Sequence, residues 1–458
     1  MIRPSRRRAR NLAVAAGATA ASLFALFDLY QWALAYAGDR FHNDFTFYYA
    51  AARIGLGHGW SSIYDLQLQQ AQLDALGSRI TVAELARYIS PPPVAWLAAP
   101  FTALPYSTAY FAWSGLLIVA LVATCQLAAP GRSLSKIVLL AAAVGWVPVI
   151  YGLQLGQPGL LVALGVAASY ALLRTGRPTW AGVALGAIVL KPQLAFLVPI
   201  ALLAGGHRRA FIGSVVAVGL IAAASAATLG GDGIATYLAR LSFAASVPVN
   251  RELTLASFLG DLPLTRVAQV AIGAWSLLLA FRLRRRGPEW PYVCALACGM
   301  LATPYVHLDD LAMLGLAAWL CLRARTPSWT WVYVLAVVLG VEGAPIWVPR
   351  LSSRQKSAGW SSSQSRRSNM TTAIASMTSP NAKVMPASAG TASTRPKSER
   401  AYPFAGPEPA STTRRIGSMP YEAGSRRVST VIQAGRLVSG NRAPDRKNIG
   451  IIRKFITT

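Results

Sequence analysis

GLLVALGVAASYALLRTGRPTWAGVALGAIVLKPQLAFLVPIALL, residues 159–203, decides how this chain must be read. Two apolar runs meet at the basic turn RTGRP, residues 174–178. The run at 179–204 has the ~20 apolar residues needed to cross a bilayer. Yet GGHRR, residues 205–209, follows it, so both of its flanks carry the positive charge expected of cytoplasmic turns. Lys191-Pro192 divides the run into halves, which suits a broken or re-entrant hairpin around a buried polar site. A plain span that departs from the charge rule is the other reading.

Outward from this stretch the same alternation continues. The 458 residues are 54% hydrophobic and only 13% charged, with a mean hydropathy of +0.41. Soluble domains carry roughly 25% charged residues, so a single soluble core is excluded. The predicted fold is all-α, a polytopic transmembrane helical bundle of about ten hydrophobic segments. They lie near 11–36, 106–129, 137–153, 159–173, 179–204, 210–229, 266–281, 291–304, 311–322 and 329–346. MIRPSRRRAR ahead of the first segment places the N-terminus in the cytoplasm, and the plasma membrane is the expected location. Ala35-Tyr36-Ala37 resembles a signal cleavage site, but the run before it is too long for a signal-peptide core. Residues 37–92 then form an outer loop.

The net charge of +27 is concentrated at the end of the chain and in short turns. Residues 351–458 hold 18 Lys and Arg against 4 Asp and Glu. This distribution argues against a nucleic-acid partner. The same stretch is rich in Ser, Arg, Pro and Thr, so a membrane domain at 1–350 and a disordered tail at 351–458 are expected, a frameshifted C-terminus being a second explanation of the tail. Cys125, Cys294, Cys298 and Cys321 all sit in apolar runs without His or carboxylate at ligand spacing, and read as packed thiols. No cofactor is expected, and a divalent metal lacks support.

Few residues remain to carry chemistry. The outer stretch FHNDFTFYYAAARIGLGHGWSSIYD, residues 41–65, holds Asp44 with Tyr48 and Arg53 at near-helical offsets. An acid there can take a proton from a sugar hydroxyl, and an arginine can pair with a phosphate. A solvated acid beside an aromatic belt is the plain alternative. His307, Asp309 and Asp310 in TPYVHLDDLAML form a second polar cluster, suited to positioning an acceptor or a divalent metal, or simply to starting a helix. Lys191 is an intramembrane cation whose natural partner is a lipid phosphate, and Asp28 in the first segment is a possible counter-ion. Arg251, Glu252 and Asp261 give a weaker signal in a second outer loop.

Several stretches, in order, resemble one family. NDFTFYYAAARIGLGHGWSSIYD looks like the first outer loop of glycosyltransferase family 87, polytopic enzymes of GT-C type. YISPPPVAWLAAPFTALPYSTAYFAW is similar to its aromatic–Pro–Pro segment, and LQLGQPG through KPQLAFLVPIALL to its GQ…KP stretch. NRELTLASFLGDL stands where the family has an NQSL segment. The resemblance implies transfer of a hexose, often mannose, from a polyprenyl-phosphate donor to a lipid-linked or glycan acceptor outside the membrane. It implies Asp44 as catalytic base, with inversion at the sugar. Tyr48, Arg53, Lys191, His307, Asp309 and Asp310 become the substrate-binding candidates, Lys191 and Arg53 toward the donor phosphate. A lipid-linked-sugar flippase would also need buried charge and broken helices, but not an acid in an outer loop.

Overall fold

The structure, a computed structural model, describes residues 6–82, 87–260, 263–324, 431–433 and 436–438. The chain divides into two units, 1–342 and 343–458. In the second, the described residues are a short antiparallel pair, β1 (Val431–Gln433) and β2 (Arg436–Val438), with Val431 opposite Val438. The expected last hydrophobic segment at 329–346 and the expected disorder of the tail otherwise fall outside the described residues.

The described part of the first unit is helical throughout. In order it comprises α1 (Arg6–Gly38), α2 (Phe45–His58), α3 (Leu66–Ala75), α4 (Pro92–Ala98), α5 (Tyr106–Ala128), α6 (Ser133–Val144), α7 (Val147–Leu155) and α8 (Gly159–Arg174). Then come α9 (Pro178–Ala184), α10 (Leu197–Ala204), α11 (Arg208–Ser246), α12 (Leu255–Leu259), α13 (Pro263–Leu283), α14 (Glu289–Ala302) and α15 (Ala312–Arg323). Prolines set many of these starts. Pro92, Pro178 and Pro263 are first residues, and Pro148 is a second residue, where the missing N–H costs nothing.

Among the described residues, three helices are long and apolar enough to cross a membrane: α5, α11 and α13. The α6–α7 pair makes a fourth if its 68° bend is counted within one span. Only 17% of the most apolar window of α11 and 22% of that of α13 is buried, so each turns an apolar surface outward. Such a surface is stable against lipid rather than water. The expected count of about ten spans is not what these helices show. The 16 residues of α8 reach only ~24 Å at 1.5 Å per residue, short of a ~30 Å hydrocarbon core. Segments 178–190 and 192–204 are shorter still.

The opening stretch is broken where its sequence suggests. After α9 the chain tightens into a 3-10 segment, Leu185–Leu190, and Lys191 leaves helical geometry at φ −152° and ψ 77°. A second 3-10 turn, Pro192–Leu194, leads to α10. Proline cannot supply an N–H to continue a helix through this point. The break leaves Lys191 facing the interior, only 9% exposed.

Small residues let the helices approach. A Cβ on Gly182 of α9 would stand 2.0 Å from the Ala210 carbonyl of α11, and one on Gly213 would stand 2.5 Å from that of Thr179. Gly145, at the α6–α7 bend, lies against the Ala21 carbonyl of α1, where a Cβ would come to 2.7 Å. Close backbone contact of this kind replaces the hydrophobic drive that lipid-embedded helices lack.

Candidate active site

The site begins at the residue before α2. Asp44 occupies the N-cap position, where a carboxylate ordinarily accepts an N–H from the helix's first turn. Here it makes no such bond. Asn43 takes that duty, its Oδ1 accepting the Thr46 N–H at 3.1 Å. Tyr106 secures Asn43 and Thr46 together, with its hydroxyl 2.6 Å from Thr46 Oγ1. The Asp44 side chain is thereby free to face elsewhere.

It faces the turn between α7 and α8. The Asp44 N–H donates to the Leu155 carbonyl at 2.9 Å, and Gln157 Nε2 donates to Asp44 Oδ2. The turn is held rigidly from three sides. Gly156 adopts φ +73°, a left-handed conformation that closes α7, and a Cβ there would meet Phe45 at 2.8 Å. Trp113 Nε1 donates to the Gly156 carbonyl at 2.8 Å, and the Tyr110 hydroxyl donates to the Gln154 carbonyl at 2.7 Å. The sequence LQLGQPG thus becomes the anchor of the segment that carries Asp44. One turn along α2, the Tyr48 hydroxyl donates to Gln157 Oε1 at 3.2 Å.

The same α7 end meets the second polar cluster. Gly152 packs against Asp309, whose Cβ lies 3.4 Å from where a Gly152 Cβ would be. Asp309 and Asp310 sit on a 3-10 turn, Leu308–Leu311, that leads into α15. Lys191 Nζ reaches both, at 2.5 Å from Asp309 Oδ2 and 2.5 Å from Asp310 Oδ1. Asp310 Oδ2 also accepts the His307 N–H at 2.9 Å. His307 Nε2 lies 3.1 Å from Asn250 Oδ1, while Asn250 Nδ2 donates to the Ala244 carbonyl at 2.7 Å. That second bond turns the Asn250 oxygen toward His307, so Nε2 carries the proton and the side chain can accept through Nδ1 in the capping box with Asp310.

The charges interact across this space. Burial raises the Asp44 carboxyl first, the Asp309 charge adds to it, and His307, Lys191 and Gln157 pull it partly back, leaving a pKa of about 6. Although Asp44 retains some open surface, the enclosure by protein around it governs this shift. Burial likewise pushes His307 below its usual value, against the opposing pull of Asp309. Asp310 is raised to about 6 by burial despite the adjacent Lys191. Asp309 moves the other way: burial would raise it, but Lys191 and His307 together hold it below the usual carboxylate range.

Four sequence-based expectations change here. Arg53 is exposed on α2, nine residues beyond Asp44 or ~14 Å along the axis, and does not join the cluster. The two positions differ by two and a half turns, which puts them on opposite sides of the helix. Tyr48 is 3% exposed and is held by Gln157, so it supports Asp44 from behind rather than meeting a ligand. Lys191 is neutralised by two carboxylates and does not stand free for a phosphate. Asp28 is not its counter-ion. Sequence reasoning missed Gln157 and Asn250, because a neutral amide in an apolar chain gives no charge signal. The adjacent Gly156 and Pro158 marked the turn, not the side chain between them.

No group of three or more His, Cys, Asp or Glu among the described residues is arranged to hold a metal ion. Glu289, far along the chain on α14, instead accepts the Tyr170 hydroxyl at 2.6 Å in a separate packing cluster. No curated protein and no solved structure matches the chain. A family model, Glycosyltransferase family 87, matches residues 88–341, more than half of the sequence. The matched region contains Gln157, Lys191, Asn250, His307, Asp309 and Asp310, while Asp44 precedes it. With its apolar spans and its polar cluster gathered at the broken helix, the chain belongs to glycosyltransferase family 87.

Proposed function

We propose that this membrane glycosyltransferase moves a hexose, most simply mannose, from a polyprenyl-phosphate donor to a hydroxyl of a lipid-linked or glycan acceptor. Transfer takes place at the extracytoplasmic face of the plasma membrane, with the N-terminus in the cytoplasm. Asp44 is the general base. Its carboxylate accepts the acceptor hydroxyl proton as that oxygen attacks the anomeric carbon. The bond from that carbon to the donor phosphate breaks, its electron pair leaves with the polyprenyl phosphate, and configuration inverts.

The observation that carries this reading is the Asp44 carboxylate itself. It is released from helix capping by Asn43, fixed by a neutral amide, and given a pKa of about 6. A base poised near neutral pH is ionised when needed and still able to hold a proton. His307 borders the same site, close enough to act on the Asp44 charge, and helps to set the field in which the acceptor is bound. The Lys191–Asp309–Asp310 group sets the position and field of that site rather than gripping phosphate. A flippase has no need of a base released in this way, so nothing observed favours it.

The test is transfer in membranes with radiolabelled polyprenyl-phosphate mannose and a native lipid extract. Wild type should move label into lipid or glycan, and Asp44→Asn should not. Equal transfer by both would remove Asp44 from the mechanism. A chain that is folded but moves no mannose, yet moves another hexose, would correct the donor alone.

A further inference from the structure

A carboxylate base has two oxygens, and only one of them can meet the substrate hydroxyl along a lone pair. The other must be held, or the side chain turns freely and the productive geometry is seldom reached. The identity of the holder matters as much as its presence. A lysine or arginine would fix the oxygen but pull the pKa down strongly, weakening the base. A neutral amide fixes it with a much smaller penalty.

Gln157 meets this requirement. It is 7% exposed, and its backbone is locked by its own N–H to the Gly152 carbonyl at 2.8 Å. Its amide can face two ways, and the orientation decides whether it offers Asp44 a donor or a repelling oxygen. The ionised Asp44 carboxylate can only accept, so its Oδ2 takes the NH2 group, and the Tyr48 hydroxyl donates to the remaining Oε1 at 3.2 Å and holds the amide in that orientation. The Ser90 side chain also approaches that phenol. Asp44 and Tyr48 are four residues apart, so one turn of α2 presents carboxylate and phenol to the same amide. Lys191, the cation that would have spoiled the base, is held by Asp309 and Asp310 instead.

We propose that Gln157 is the positioning residue of the transfer reaction, the middle of a Tyr48–Gln157–Asp44 relay that fixes one Asp44 oxygen and leaves the other for the acceptor hydroxyl. The inference rests on Asp44 being the base. It assigns Gln157 no contact with substrate.

The experiment measures kcat and KM for polyprenyl-phosphate mannose against pH, using the full-length chain in membranes. It compares wild type with Gln157→Glu, Tyr48→Phe and Asp44→Asn. In Gln157→Glu two carboxylates face each other and share a proton, so the acid limb of kcat/KM should rise by about one pH unit or more. Transfer should fall at least about threefold near pH 6.5 and recover at alkaline pH, with the donor KM little changed. A packing defect would not be repaired by raising the pH. Tyr48→Phe keeps the buried ring but releases the amide, and kcat should fall roughly twofold to tenfold, the worth of one net hydrogen bond. If Gln157→Glu does not accumulate as folded protein, Tyr48→Phe decides the matter alone. An unchanged kcat and acid limb in these variants, with Asp44→Asn inactive, would overturn the relay and leave the base in place. Full activity in Asp44→Asn would overturn both.

Discussion

Asp44, the proposed base, is left free because its neighbours meet the other demands of the site. Asn43 supplies the cap, Gln157 supplies a neutral donor, and Lys191 is spent on other acids. The raised pKa then has a direct consequence. Transfer that needs ionised Asp44 should rise as pH increases through about 6, and be lost below it, rather than surviving down to the ordinary carboxylate value near 3.8. A pH–rate profile of kcat/KM in wild-type membranes reads this, and an acid limb below pH 5 would contradict it. Lys191 makes a separate prediction. Its removal in Lys191→Met leaves two buried carboxylates without their cation, which should cost about 3–5 kcal/mol of stability. Exchanging Lys191, Asp309 and Asp310 together for Met, Asn and Asn should cost less than the single change. Thermal unfolding in one detergent, followed for both variants, orders them.

At the scale of elements, the α7–α8 turn is where the two halves of the site are joined. Gly156 is required there twice over, by its left-handed backbone and by the Phe45 side chain that fills the space of a Cβ. Gly156→Ala should therefore cost at least about 1–2 kcal/mol and displace α2, lowering transfer as well as stability. The α9–α11 crossing is a purely packed counterpart. A methyl on Gly182 must displace the Ala210 carbonyl, so Gly182→Ala should destabilise by about 1–3 kcal/mol. It should leave the pH dependence of any remaining transfer unaltered, since no residue of the Asp44 relay lies on α9. A changed acid limb in Gly182→Ala would show that the two elements are coupled.

For the whole molecule, the proposed orientation puts Asp44 outside and the RLRRRG turn, residues 282–287, in the cytoplasm. Single cysteines at the exposed positions His42 and Arg285 distinguish the sides. In intact cells a membrane-impermeant maleimide should label position 42 and spare 285, while permeabilisation should expose both. The native cysteines interfere little, because three are buried and Cys298 is half-buried. The reverse pattern would invert the topology. A chain ending at residue 350 should keep its transfer activity, since every candidate site residue and the family match at 88–341 precede that point.

Much of this organisation is written in local sequence. Apolar runs and basic turns marked the helices, prolines marked their starts, and Lys191-Pro192 marked the broken segment, because each acts within a few residues of itself. Asp44 and the HLDD cluster stood out because charge is scarce in an apolar chain. Span lengths were less legible, since an apolar run does not say whether it is facing lipid or packed inside, as α2 and α8 are. The pairing of charges was not legible at all. Lys191 meets acids 118 and 119 positions away, and Gln157 meets an acid 113 positions away, distances along the chain that carry no periodic signal. The sequence by itself determined a helical membrane protein of family 87 and the short roster of groups able to do chemistry. Only the tertiary structure decided which of them is free to act, because burial and the position of a counter-charge exist only after distant helices have packed together.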